Sequence, residues 1–508
     1  MTDHDTEVTR RTARGAGWLI GWQMATRALG LASTLILAHL LVPADFGIVA
    51  MAATFTAAIN SVSSLGVADA LVRRPDTGET WFDTAFTLQA LRGLGTGALI
   101  ALGAGPAAQW FGEPRLAGVL MLLAGVAVMT GFENIGIVEF RRTIRFDLEF
   151  RLLLLPRLLQ FTVTMVLAWL WGDYRALVLG TVVGAATRLV LTYVIHPYRA
   201  RPSLAHWRSL MGFSAWVWAS SIASLVWERS DAVILGPVLG SARLGVYLFA
   251  AEIATLPVTE LVGPAMRALY SGLSLARHRG TDIASLALGI IAALLTVVVP
   301  MSIGISATSG HIVTGLLGLK WEAARPMIAT FAWLCCVSPI AWVTSSVLTA
   351  QGQVRRNFFA IAGSAIAKSI AMVVTVRSGH ADLAPLVAVG AVIIEAALFL
   401  TQLGHVEDPR WRDNVGGFLR VAIGGSTAAA VLLLTGLGWQ PVSLPPALAL
   451  TEGIAIGIAT ILTGMGTQAL CWLAVGSPPG PERRVIETAI TALRRQRITG
   501  PTQTEPAD

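Results

Sequence analysis

Three arginines lie well inside long apolar stretches of this sequence: Arg27, Arg92 and Arg188. A charge at such a depth is costly unless it faces water or a partner. Arg27 lies about 18 Å from Gly15 at roughly 1.5 Å per helical residue, too deep for its side chain to reach the membrane surface easily. The first apolar stretch therefore predicts an interior that is wet and at least locally cationic.

The composition determines which class of protein can position these charges. The chain has 508 residues, of which 54% are hydrophobic and only 13% charged, with a mean hydropathy of +0.66. Its apolar runs are long and continuous instead of alternating at every second residue, which excludes a membrane β-barrel. We therefore predict an all-α polytopic membrane protein.

Hydropathy predicts about fourteen transmembrane helices. In chain order they cover residues 15–41, 48–71, 82–105, 116–138, 150–171, 175–196, 211–236, 244–266, 283–305, 326–350, 357–377, 383–404, 418–437 and 446–475. Arg157 lies about 9 Å inside the fifth of these, counted from Arg151 at about 1.5 Å per residue, so its side chain can extend to the membrane surface.

The basic residues predict the orientation of these spans. Of the 37 lysines and arginines, 25 fall on the side of the N-terminus and 6 on the opposite side. By the positive-inside rule, both termini are predicted to be cytoplasmic. The arginine excess is then mainly topological, and we expect no nucleic-acid partner.

An internal repeat predicts how the helices are grouped. The segment LVPADFGIVAMA (residues 41–52) aligns with LGSARLGVYLFA (residues 239–250) at a shift of 198. Six helices per repeat give two lobes with a central cavity between them. We predict an N-lobe at residues 1–205, a C-lobe at 206–408, two appended helices at 409–478 and a disordered cytoplasmic tail at 479–508.

Several segments resemble one transporter family. They are TRALGLASTLILAHLLVPADFG, WFDTAFTLQALRG, VEFRRTIRFDLEFR, YRALVLGTVVGAATRLVL and SDAVILGPVLGSARLGVYLFAAEIATLPV. Together they are similar to the oligosaccharide flippases of the MviN/MATE-like (MOP) superfamily, in its polysaccharide transporter branch. The resemblance covers about residues 10–405.

This resemblance implies a function and a substrate. Members move an undecaprenyl-diphosphate-linked oligosaccharide from the inner to the outer leaflet of the bacterial cytoplasmic membrane, by alternating access of two lobes. Arginine suits a diphosphate because its charge is permanent and its donors are forked. The expected substrate-binding residues are Arg27, Arg92, Arg188, Trp22 and Gln23. Membrane lipids and the polysaccharide polymerase machinery are the other expected partners.

A second group of charges lies near the start of the predicted C-lobe. Arg229, Asp231 and Glu252 are candidates for ion coupling or gating, since an acid in this region could bind a proton or a cation. The alternative is that Arg229 forms a structural ion pair with Asp231 or Glu252. The three cysteines all lie in apolar stretches and form no recognisable metal site. No cofactor is expected.

Other functions stay open at this point. A multidrug or cation antiporter of the same superfamily would favour an acidic cavity, whereas the N-lobe is rich in arginine. A membrane-embedded polymerase or ligase would be expected to carry a large external loop or acidic metal-binding pairs, and neither is evident. A non-transporting scaffold is a further alternative. Transport without catalysis is the function that we predict.

Overall fold

The computed structural model describes residues 26–27, 29–63, 71, 78–142, 145–210, 215–278, 283–404 and 411–476. Every regular element within these ranges is a helix. The predicted all-α class is confirmed.

The helices follow the apolar stretches of the sequence. We number them in chain order: α1 Leu29–Leu40, α2 Pro43–Val62, α3 Glu79–Phe111, α4 Arg115–Gly131, α5 Phe146–Trp171, α6 Arg175–Ile195, α7 and α8 within Ala215–His278, α9 Ile283–Ala307, α10 Arg325–Ala350, α11 Val354–Arg377, α12 Ala384–Gly404, α13 Trp411–Thr435 and α14 Pro446–Ala474. Short helical turns lie between some of them.

A glycine separates α7 from α8. Gly240 has φ 68° and ψ 175°, a backbone conformation that side chains other than hydrogen strongly disfavour. The helical stretch therefore breaks there, into α7 at residues 215–239 and α8 at residues 241–278.

Many of these helices can span a membrane. In the described part of the chain, eleven are long and apolar enough to cross a bilayer, and α1 and α4 are shorter apolar helices. The stretch Ala215–Leu256 counts as one of the eleven although Gly240 interrupts it. The chain is a multi-pass membrane protein, and the total of fourteen spans stays a prediction.

The chain divides into two compact units. Unit 1 contains residues 1–249 and 372–381, and unit 2 contains residues 250–371 and 382–508. The lobe boundaries predicted from the repeat stay predictions.

Two repeat-related segments touch each other within unit 1. A Cβ on Gly47 would collide with the carbonyl of Ser241, and a Cβ on Gly245 would collide with the carbonyl of Pro43. At the predicted shift of 198, Gly47 aligns with Gly245 and Pro43 with Ser241. The contact between the starts of α2 and α8 is therefore reciprocal, as in a two-fold interface. This supports the local alignment, and the six-helix repeat as a whole stays a prediction.

Unit 2 is built around α9. In the most apolar 18 residues of α9, 67% of the residues are buried, which is the highest share among the candidate membrane spans of the described residues. Its apolar side chains form a core with Val343 and Val347 of α10, Leu403 of α12 and Val421 of α13. A helix that is apolar and buried on most sides is the central core helix of its unit.

Candidate functional site

A cavity of about 390 Å³ lies within unit 1. Helices α2, α3, α4 and α6 and the turn after α4 line it. Its polar lining residues are Thr56, Asn60, Gln89, Arg92, Thr96, Thr130, Glu133 and Thr181. Irregular backbone and charge are tolerated among membrane helices where they line a polar cavity, and this cavity is the strongest candidate site in the unit.

Helix α3 supplies one continuous wall of the cavity. Gln89, Arg92, Gly93, Thr96 and Ile100 all line it, at the spacing of one helical face. The helix is close to α4 because Gly93 and Gly131 face each other, and a Cβ on either would overlap the Cα of the other. Small residues at such a crossing let two membrane helices approach closely.

Gln89 fixes the end of α4 against this wall. Its side-chain amide donates to the carbonyls of Thr130 (3.3 Å), Gly131 (3.3 Å) and Glu133 (3.1 Å). The last carbonyls of a helix have no partners inside the helix, so this amide satisfies groups that would otherwise be exposed to the cavity. The backbone around Glu133 is thereby held beside α3.

Arg92 is the cationic group of the larger cavity. Its side chain is partly exposed and has no hydrogen-bond or ion-pair partner among the described residues. A guanidinium that lines a cavity in this way offers its forked donors to an anionic ligand. The structure places this predicted substrate-binding residue in the cavity.

Arg188 of α6 is held by a carboxylate. Its Nε lies 2.9 Å from Oε1 of Glu133, and the side chains are 38% and 10% exposed, respectively. Both residues line a second cavity of about 230 Å³, and Glu133 and Gln89 line both cavities. The Glu133 side chain therefore lies between the larger cavity, which Arg92 lines, and the smaller cavity, which Arg188 lines.

The turn that carries Glu133 is anchored on α6 and the segment after it. Asn134 donates from its side-chain amide to the carbonyls of His196 (3.3 Å) and Tyr198 (2.8 Å), and its backbone N–H donates to Thr192 Oγ1 (3.1 Å). The hydroxyl of Tyr193 donates to the Phe132 carbonyl at 2.9 Å. These bonds define where the carboxylate of Glu133 lies.

The other predicted substrate-binding residues are not brought together with Arg92. Arg27 lies in the helical segment before α1 and is not among the residues that line these two cavities. Trp22 and Gln23 fall outside the described residues. The binding roles of these three residues stay predictions.

The predicted ion-coupling residues are not among the residues that line the two cavities. Asp231 is buried and accepts a hydrogen bond from the Tyr247 hydroxyl at 3.1 Å. Arg229 Nε is buried and makes no hydrogen bond to any described residue. Glu252 is exposed and lies in unit 2. Their predicted role stays a prediction.

Two contributors to the site were not predicted as site residues, namely Gln89 and Glu133. The available signal was the pattern of polar and small residues at positions 89, 92, 93, 96 and 97 within an apolar helix. Such a stripe marks a helix face that avoids lipid.

The family follows from a comparison with known proteins. Residues 36–326 match the model of a family described as "Polysaccharide biosynthesis protein". This match covers more than half of the chain. The chain belongs to this family. The predicted membership is confirmed.

The curated relatives have low sequence identity to this chain. The teichuronic acid biosynthesis protein TuaB of Bacillus subtilis (strain 168) is 20% identical, over 73% of this chain and 78% of the relative. The lipopolysaccharide biosynthesis protein WzxC of Escherichia coli (strain K12) is 22% identical, over 68% of this chain and 72% of the relative.

Solved structures share the fold. The "Lipid II flippase MurJ, inward closed conformation" has a TM-score of 0.71 at 14% identity and covers 90% of this chain and 99% of that chain. An inward-facing multidrug resistance MATE family transporter of the MOP superfamily has a TM-score of 0.57 at 15% identity and covers 78% of this chain and 95% of that chain. At these identities, the likeness shows a common fold.

Proposed function

We propose that this protein is a flippase that moves an oligosaccharide, linked through a diphosphate to undecaprenol, from the inner to the outer leaflet of the bacterial cytoplasmic membrane. The observation that carries the proposal is Arg92, a guanidinium without a partner among the described residues in a polar cavity of about 390 Å³. Membership in a polysaccharide biosynthesis family and the names of the curated relatives support a saccharide-linked substrate.

The chemistry of the cavity fits the polar part of such a lipid. Small-molecule sites commonly enclose about 300–1,000 Å³, so this cavity holds a head group and not a long polyprenyl chain. The phosphates accept charge-assisted hydrogen bonds from Arg92, and the threonine, asparagine and glutamine side chains bond to sugar hydroxyls. The polyprenyl chain stays among the membrane lipids, where its apolar surface is not exposed to water and carries no free-energy penalty.

Transport then requires the cavity to be exposed in turn to the two sides of the membrane. No bond is made or broken in the substrate, so the protein acts as a transporter and not as a catalyst. Both termini are cytoplasmic in this proposal, because the basic loops favour that side. The polymer-assembly machinery outside the membrane consumes the translocated unit.

A translocation assay tests the proposal. Purified protein is reconstituted in vesicles that contain undecaprenyl-diphosphate-linked oligosaccharide with a fluorescent sugar, and a membrane-impermeant reductant bleaches the outer leaflet. We expect wild-type protein to expose the inner-leaflet label to the reductant, whereas protein-free vesicles keep it protected. Persistent protection with wild-type protein would refute the flippase.

The contribution of Arg92 is measured in the same vesicles. A charge-assisted hydrogen bond is worth about 1.5–3 kcal/mol, so Arg92→Gln is expected to weaken substrate binding roughly 10- to 100-fold. Arg157→Gln is the matched control, because it removes the same charge from an exposed position on α5 outside both cavities. Equal activity of the two variants would contradict a binding role for Arg92.

The main alternative is a cation antiporter with the same fold. The MATE-like fold is compatible with it. In the described cavity, however, the single acid Glu133 is already paired with Arg188, while Arg92 remains available. The balance of charge favours an anionic ligand over a cationic drug.

A further inference from the structure

Glu133 lies where an anion bound in the unit 1 cavity would alter its electrostatic surroundings. Its carboxylate lines the cavity that contains Arg92, and it also lines the smaller cavity together with Arg188. The side chain is only 10% exposed and its one ion-pair partner among the described residues is Arg188, at 2.9 Å. The charged residues that line the two cavities are therefore Arg92, Arg188, Glu133 and Glu149, and among them Glu133 neutralises Arg188.

An anionic ligand disturbs this balance in one of two ways. A phosphate bound to Arg92 shares the larger cavity with the Glu133 carboxylate, and like charges in a shared site disfavour each other's ionised forms. A phosphate that instead draws Arg188 away leaves a nearly buried carboxylate without its counter-ion, which is strongly unfavourable. In both cases, binding of the anion shifts the protonation equilibrium of Glu133 toward the neutral carboxyl.

The charged groups around Glu133 do not offer another way to relieve this conflict. Arg92 comes from α3 and Arg188 from α6, while α2 contributes only the uncharged Thr56 and Asn60 to the cavity. From α5, Glu149 lines the smaller cavity and adds a second negative charge.

The segments next to the turn add groups that are already engaged. Glu139 Oε2 lies 3.2 Å from His196 Nε2, and the Tyr193 hydroxyl donates to the Phe132 carbonyl. Among the described groups, then, no additional cation faces Glu133 when its ion pair with Arg188 is disturbed.

We propose that Glu133 is a proton-binding site linked to the substrate site: binding of the diphosphate head group in the unit 1 cavity is accompanied by uptake of one proton from the bulk solution onto the Glu133 carboxylate. This inference rests on the proposed function, since it requires an anionic ligand in the cavity. Linkage is reciprocal, so protonation of Glu133 strengthens binding of the anion by the same factor.

The test uses undecaprenyl diphosphate as the probe and the full-length protein in nanodiscs. The dissociation constant is measured from pH 5.5 to pH 8.5 for the wild type, Glu133→Gln and Glu139→Gln. The diphosphate itself titrates in this range, but it does so equally for all three proteins. With one linked proton, log Kd is expected to rise with pH more steeply for the wild type than for Glu133→Gln. The two slopes should differ by up to about one log unit per pH unit.

The controls separate the possible outcomes. Glu139→Gln removes a carboxylate outside both cavities and should keep the wild-type slope. If Glu133→Gln folds poorly because Arg188 loses its partner, the double variant Glu133→Gln/Arg188→Gln replaces the pair by two neutral amides and should also lose the extra slope.

Equal slopes for the wild type and for these Glu133 variants would overturn the proton linkage and leave the flippase proposal standing. Loss of the extra slope in Glu139→Gln would assign the proton to a different carboxylate and also overturn it. If the wild type binds undecaprenyl diphosphate at no pH in the range, the proposed function fails, and the linkage fails with it.

Discussion

Arg92 combines a permanent charge with a fork of donors, and the cavity uses both properties. A lysine at this position keeps the charge but binds a phosphate as a single point instead of through two parallel hydrogen bonds. We predict that Arg92→Lys retains substrate translocation at a level between those of the wild type and Arg92→Gln. Translocation rates of the three proteins in the same vesicles check this order. If Arg92→Lys is as inactive as Arg92→Gln, the geometry of the fork and not the charge is the deciding property, and if Arg92→Gln is fully active, neither matters.

His311, in the turn between α9 and α10 of unit 2, makes stability depend on pH. Burial lowers the pKa of this imidazole below its ordinary value, and the carboxylate of Glu452, 3.9 Å away, acts in the opposite direction. The folded protein therefore binds a proton at His311 less readily than the unfolded chain does. The stability that the neutral imidazole contributes is fully present above the ordinary histidine pKa of about 6.5, and it is lost as pH falls from there through the lowered pKa of the folded state.

The measurement is the change in unfolding temperature between pH 8 and pH 5 in detergent. We expect this change to be smaller in His311→Gln than in the wild type. His380→Gln serves as the control, since His380 is exposed. An identical pH dependence in the wild type and His311→Gln would contradict the assignment.

At the residue scale, the sequence predicted part of the site. Arg92 and Arg188 were identifiable because an arginine inside an apolar helix needs water or a partner, and the structure provides a cavity for the first and Glu133 for the second. The polar stripe that includes Gln89 is visible in the sequence, but the hydrogen bonds of Gln89 were not predictable, because they reach the end of the next helix and depend on how α3 and α4 pack. No local pattern encodes that geometry.

At the scale of helices, the contact between the starts of α2 and α8 depends on two glycines. A methyl group on Gly245 would collide with the backbone of Pro43 and Gly47, and backbone atoms cannot rotate away as a side chain can. We predict that Gly245→Ala destabilises the protein by about 1–3 kcal/mol, the usual cost of overpacking.

A thermal unfolding measurement checks this prediction. Gly118→Ala is the matched control, because Gly118 lies in α4 with no atom within 4 Å of an added Cβ. Its effect should be neutral, or stabilising by about 0.5–1 kcal/mol, since alanine favours a helix interior over glycine. Equal unfolding temperatures for the two variants would show that α2 and α8 do not approach as closely as the structure indicates.

Helix positions were the most predictable feature at this scale. Long apolar runs determine where helices form, because a chain in a bilayer must satisfy its backbone hydrogen bonds internally. The break between α7 and α8 was predictable as well, because the predicted spans 211–236 and 244–266 leave a gap that contains Gly240, the residue at which the helical stretch Ala215–His278 is interrupted. The aligned segments pair Gly47 with Gly245, but the contact between them was not predicted, because an alignment does not show that two segments touch.

At the scale of the whole molecule, the basic loops predict which side each connection faces. Exposed Ala205 lies in a segment flanked by Arg199, Arg201 and Arg208, whereas exposed Ser378 follows only Arg377. We predict that residue 205 is cytoplasmic and residue 378 is on the outer side.

Single cysteines test this topology. Ala205→Cys and Ser378→Cys are made in a background in which Cys335, Cys336 and Cys471 are replaced by alanine. In intact spheroplasts, a membrane-impermeant maleimide should label the variant at position 378 and should label the variant at position 205 only after permeabilisation. The reverse pattern would invert the topology.

The central claim is the substrate class, and one comparison addresses it most directly. Vesicles with purified wild-type protein receive either fluorescent undecaprenyl-diphosphate-linked oligosaccharide or a cationic dye under a proton gradient, and movement of both is followed. We predict that the lipid-linked oligosaccharide crosses between leaflets and that the dye is not exchanged for protons. Exchange of the dye without movement of the lipid-linked oligosaccharide would contradict the flippase and establish a cation antiporter.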